Sequence, residues 1–172
     1  ALKILAQTDL AATFDNIKDT TEGAIAILSQ FRAEVRAAGG EVQFLEKAMD
    51  AINSVSKNFA VESADLISVV RRTGGVFEAA GGKLNELIAL FTSVRATTRE
   101  TADTIATGFR TIFTRIQRSE TIDSLKELGI VLQDTEGKFV GPMEAIARLS
   151  AGLKALDPRD FRFNEIVESL GG

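Results

Sequence analysis

Apolar positions recur along most of the chain at alternating three- and four-residue spacings, the period that predicts helices. Phe14, Ile17, Thr21, Ala24, Leu28, Phe31 and Val35 form one such series of about three heptads, with Thr13 as its N-cap and Gly39-Gly40 as its stop. Ile25 and Ile27 widen the stripe, which favours the core-facing helix of a bundle over a narrow intermolecular seam. Residues 1–12 read as a short apolar helix ahead of it. A second helix is expected from Glu41 to about Asn58, with Val42, Leu45, Met49, Ile52 and Phe59 inward. A third runs from about Glu62 to Ala80 with Leu66, Ile67, Val70 and Phe77 inward, and a fourth from Lys83 to Val94 buries Leu84, Leu87, Ile88, Phe91 and Val94. Gly74-Gly75 inside the third helix breaks the pattern, since each Gly costs a helix about 1 kcal/mol relative to Ala. The pair either kinks the helix, divides it, or lets another backbone come close.

The strongest pattern lies between Thr97 and Phe139. Ile105, Phe109, Ile112, Phe113 and Ile116 fall on one helical face, a packing motif. Glu100 and Asp103 sit near the start of that helix and Arg110, Arg115 and Arg118 near its end, which complements the helix dipole. SETIDSLKELG follows as a short helix closed by Gly129, and IVLQDTEGKFV as two apolar runs around a polar turn. Pro142 opens another long helix carrying Met143, Ile146, Leu149, Leu153 and Leu156, and Asp157-Pro158 ends it. The tail holds a last amphipathic helix with Phe161, Phe163, Ile166, Val167 and Leu170. The expected fold is mainly α, a helical bundle or set of helical hairpins with one short β-hairpin at about residues 130–140. Three parts are expected: a helical region over 1–96, a helix–helix–hairpin motif over 97–141, and C-terminal helices over 142–172. All three form one compact segment. The chain opens within an apolar-periodic run and closes just after another, so a segment of a longer polypeptide is expected.

Composition removes most chemistry. The 172 residues are 45% hydrophobic and 26% charged, with a net charge of −4, and contain no Cys, His, Trp or Tyr. Without His or Cys the usual nucleophile–base pairs and the commonest metal ligands are missing. The eleven Phe supply aromatic mass for burial rather than for hydrogen-bonded recognition. The Gly pairs follow no strand, so no phosphate-cradling loop is expected, and Asp134-Thr135-Glu136-Gly137 reads as a hairpin turn rather than a Ca²⁺ loop. No enzyme activity, cofactor or metal is expected. One charge asymmetry stands out: Lys83 to Arg118 holds six bases against three acids in an acidic chain. Arg95, Arg99, Arg110, Arg115 and Arg118 could face DNA phosphates or an acidic partner. The plainer alternative is a solvated helix face with dipole partners. The longest apolar runs, Ala24–Leu28 and Leu87–Phe91, fall far short of the roughly 20 residues of a membrane span.

The run from Leu84 to Leu153 resembles the globular core region of phage tail tape measure proteins. The matching features are Thr104-Ile105, the FRTIFTRIQ run from Phe109 to Gln117, Leu128 to Val131, the hairpin from Asp134 to Phe139, and Pro142. LSQF at 28–31 and VESADLISVVRRTGGVFEAAG at 61–81 are similar to the helices that precede this core; residues 32–60 depart from it. The resemblance implies a structural virion protein, inside the tail tube or at the tail tip, that assembles in the bacterial host cytoplasm. It implies a role in setting tail length and release during genome ejection. Implied partners are other copies of the chain (a trimer), tail tube, distal tail or tail-tip proteins, with transient proximity to DNA and to the host membrane. A wholly helical chain of this length would span only about 260 Å, and the breaks make it a poor ruler. A compact region near one end of a longer tape measure is therefore expected. The alternative is a membrane-active ejection or channel-forming protein acting on the host envelope.

Overall fold

Residues 21–171 are described by a computed structural model. The predicted helix over 1–12, the Thr13 cap, Phe14, Ile17 and Gly172 lie outside the described residues. Those described form nine helices: α1 (residues 21–30), α2 (Arg32–Ala37), α3 (Glu41–Asn58), α4 (Ser63–Ala79), α5 (Leu84–Thr98), α6 (Ala102–Arg115), α7 (Ser119–Glu127), α8 (Pro142–Lys154) and α9 (Phe161–Gly171). The fold is mainly α. The expected hairpin survives as a single antiparallel bridge, Gln133 to Phe139, flanked by a Val140 N–H donating to the Leu132 carbonyl. Asp134 shapes its turn by accepting from the Glu136 and Lys138 amides.

The core centres on α4 and α6. They run side by side in the same direction: Ser68 meets Asp103, Thr73 meets Ala106, and Phe77 meets Phe113. α5 is the antiparallel limb that connects them in an up-down-up order, tied to α4 by Arg95 and Asp65 at 3.8 Å. The α4–α5 turn follows from Gly81 at φ +87°, where the Gly81 and Gly82 amides donate to the Glu78 and Phe77 carbonyls. That pair of bonds satisfies the last carbonyls of α4 and needs a left-handed residue. Gly129 closes α7 in the same way. α2 contributes to a more distant helix, because Glu34 accepts the Leu84 amide at 2.8 Å and so caps α5 from across the fold.

Gly74-Gly75 neither kinks nor divides α4, which is continuous through both. Gly74 is the place of close approach: a Cβ there would lie 2.2 Å from Gln30 Oε1 and 2.9 Å from the Phe31 ring, so α1 packs where a side chain would stand. Gly75 is exposed and meets nothing nearer than 3.9 Å. The structure supplies no physical reason for it.

Several inward assignments are corrected in phase. On α3 the buried residues are Phe44, Ala48 and Ile52, whereas Val42 is 67% exposed, Leu45 and Met49 are half-buried, and Phe59 faces water. On α1, Ile27 and Phe31 are buried while Ile25 is 61% exposed. The predicted first helix also breaks at Phe31 (φ −100°, ψ 48°), leaving α2 as a separate short helix. On α9, Ile166 and Leu170 go inward, but Phe161 is 74% exposed and Val167 faces outward. In each case an apolar residue next to the true core stripe carried the same period on another face of the helix.

Candidate functional site

The helix singled out by sequence, α6, packs along α4 at the centre of the core. Thr101 caps α6 by accepting the Thr104 amide, and the Thr101 and Thr104 hydroxyls bond each other at 2.8 Å. Within α6, Ile105, Phe109 and Phe113 are buried, Ile116 follows as its buried C-cap, and Ile112 is only half-buried. Ala102 and Ala106 complete the buried face, and their small size lets α4 come close enough for Thr73 Oγ1 to donate to the Ala106 carbonyl. Phe113 meets Phe77 edge-to-face at 4.8 Å, the favoured aromatic geometry, and Phe109 at 5.8 Å. Burial of α6 thus fixes where its polar face points.

The five arginines have different surroundings. Arg95 is half-buried and locks the end of α5, its Nη1 donating to the Arg99 carbonyl at 3.1 Å and to the Glu100 carbonyl. Arg99 ends α5 in the left-handed conformation at φ +60°. Arg115 reaches across to α9, where it donates to the Glu168 carbonyl at 3.3 Å. Arg110 and Arg118 are exposed and, among the described residues, hold no ion pair. Sequence reading overlooked a polar cluster on the α4–α6 seam: Asp103 accepts from Ser68 and Arg72, both at 3.2 Å. VVRRTGG carried the signal, two adjacent arginines in the middle of α4.

The fold also leaves apolar surface open. A cleft between α6, α8 and α9 is lined by Ile112, Ile146, Leu149, Leu153, Phe163 and Leu170. Two others lie along α1–α2 and along α3. Between α8 and α9, Asp157 and Asp160 each accept from the guanidinium two residues on, Arg159 and Arg162. These bonds hold both carboxyls below the ordinary Asp value and raise both arginines. Among the described residues no group of three or more His, Cys, Asp or Glu side chains could hold a metal ion, and no helix is long and apolar enough to cross a membrane.

A packed helical scaffold with exposed apolar and charged helix faces is the build of an assembly component. The family model for phage-related minor tail proteins matches residues 2–172, and the chain belongs to that family. It is accordingly a structural protein of a phage tail, located in the virion and in contact with other tail components. No solved structure matches the chain.

Proposed function

We propose that the chain is a compact module of a tail tape measure protein, the component whose length sets that of the tail tube and which leaves ahead of DNA at ejection. The observation that carries this reading is the FRTIFTRIQ run, residues 109–117, and the order of the elements after it. Most of that run lies in the central helix α6, and the short helix, the hairpin and the Pro142 start of α8 succeed it in a chain spanned by the minor tail family. Interruptions at Gly81, Arg99 and Asp157-Pro158 fold the chain back on itself, so it serves as a packed module rather than as the extended ruler. Its work is structural and not enzymatic. It touches other copies of itself, three about the tail axis, and tail tube, distal tail or tail-tip proteins. Arg99, Arg110 and Arg118, which hold no ion pair among the described residues, offer guanidinium groups to an acidic partner or to passing DNA.

In-frame changes to the parent gene test this. Removing residues 84–153 should abolish tail assembly, whereas insertions in the extended part of the same gene should lengthen tails in proportion, as measured by electron microscopy. Tails that are merely shorter and otherwise normal after the deletion would overturn the module reading. A second reading, membrane activity during ejection, is favoured by the exposed Phe161 and Val167 beside the open α8–α9 cleft. Leakage of lipid vesicles by the purified chain supports it, and inert behaviour across pH and lipid composition rules it out.

A further inference from the structure

α1 and α3 each carry two apolar faces, and the fold buries one of them. Along α1 and α2 the buried positions are Gly23, Ile27 and Phe31, while Ile25, Leu28 and Val35 line an open cleft on the other side. Along α3, Phe44, Ala48 and Ile52 go inward, and Val42, Leu45 and Met49 form an outer stripe. That stripe keeps the three-four spacing of a helix–helix seam. Glu41 edges the α1–α2 cleft and is also the first residue of α3, so the two apolar surfaces adjoin.

Their charges are opposite. Arg32 and Arg36 rim the α1–α2 cleft; Glu46 and Asp50 flank the α3 stripe. All four are exposed, and among the described residues none is in an ion pair. We propose that a second copy of this chain docks here, the Arg32/Arg36 cleft of one copy over the Glu46/Asp50 stripe of the next. The apolar residues supply the burial, and the charges set register and reject the like-on-like arrangement. The chain itself provides both halves of the match, which is why a second copy is the occupant. Contact between unlike patches, repeated head to tail, closes as a ring, as three copies about one axis require. The proposal deepens the self-association in the tail reading, and rests on that reading for its setting.

Sedimentation velocity of the full chain at micromolar concentration tests it. The wild type should sediment as an assembly larger than the monomer. Arg32→Glu with Arg36→Glu, and separately Glu46→Arg with Asp50→Arg, should each weaken association by roughly a hundredfold, the scale of like charges set face to face. Mixing the two reversed proteins should restore it, because each then carries the other's missing charge. Val42→Glu should also dissociate the assembly, with helical circular dichroism unchanged in every variant. A monomeric wild type overturns the proposal, as does association indifferent to both reversals, or reversed variants that fail to recombine. So does a monomer that associates only after removal of residues 1–20, which would assign the face to that segment, or one that binds lipid vesicles through Val42. The readout is mass in solution, so failure here leaves the tape measure reading to be decided by tail length in the phage.

Discussion

Thr73 on α4 donates its hydroxyl to the backbone carbonyl of Ala106 on α6 at 3.1 Å, with both residues fully buried. A side chain that reaches the backbone of a neighbouring helix requires close axes, and the small Ala106 leaves the room. The bond also solves a local problem, since a buried hydroxyl without a partner is costly. Thr73→Val keeps the volume and removes the donor, and should lower stability by about 1 kcal/mol in urea denaturation, the usual worth of one such bond. Thr73→Leu, which forces extra volume between the two helices, should cost about 1–3 kcal/mol. If both variants matched the wild type, the seam would be looser than its geometry implies.

Gly74 and Gly75 should part company on substitution. At Gly74 a new methyl would meet the Gln30 amide and the buried Phe31 ring. The amide can swing aside but the ring cannot, so Gly74→Ala should destabilise by about 1–3 kcal/mol. At Gly75 the space is open and the conformation helical, so Gly75→Ala should stabilise by roughly 0.5–1 kcal/mol through helix propensity alone. Thermal unfolding of the two single variants makes the comparison. Equal effects would mean that α1 does not sit against α4 at this point.

How far sequence sufficed depended on whether the polar residues fixed a phase. In α6, Thr107, Arg110 and Thr114 stand opposite Ile105, Phe109 and Phe113, so only one face could go inward and the burial follows the pattern. In α3 the stripes Val42-Leu45-Met49 and Phe44-Ala48-Ile52 share one period and differ by a rotation. Counting apolar positions gives the period and cannot give the rotation, and the small Ala48 weakened the stripe that won. Helix limits set by local chemistry were legible: Gly39-Gly40, Gly81 and Pro142 end or open helices where expected. Tertiary features were not. Gly74 was conspicuous, yet its meaning depends on α1 lying across it. Likewise Arg95 and Arg115 look like free charges until the carbonyls they reach, at Arg99 and Glu168, are in place.

The link between α8 and α9 should respond to acid. The Arg159 guanidinium and amide beside Asp157, and those of Arg162 beside Asp160, hold both carboxyls below the ordinary value of 3.8. A carboxyl whose pKa falls on folding contributes stability that is present above the ordinary carboxylate range. That contribution is lost as pH drops through the lowered midpoint. Titration followed by NMR should find both midpoints below the ordinary Asp value. Arg159→Gln should return Asp157 towards it and leave Asp160 depressed. The Asp157 pair is solvent-exposed and Asp160 is half-buried, so added salt should shrink the Asp157 shift more. Midpoints at the ordinary value in low salt would mean the guanidinium contacts do not persist in solution.

Phe113 and Ile112 are adjacent in sequence and should differ most in consequence. Phe113 is 1% exposed and meets both Phe77 and Phe109, so its ring joins α4 to α6. Phe113→Ala removes that ring and leaves a cavity, which should cost about 3–5 kcal/mol. Such a loss is a large share of a domain's stability, which lies at about 5–15 kcal/mol. Ile112 is half-buried at the rim of the α6–α8–α9 cleft, where truncation creates no enclosed void. Ile112→Ala should therefore cost about 1 kcal/mol, the middle of the range for single substitutions. Chemical denaturation of the purified chain reads the difference directly. In the parent phage, Phe113→Ala should stop tail assembly through loss of the fold. Ile112→Ala should leave the fold intact, so an assembly defect in that variant alone would mark the cleft as a contact with another tail component.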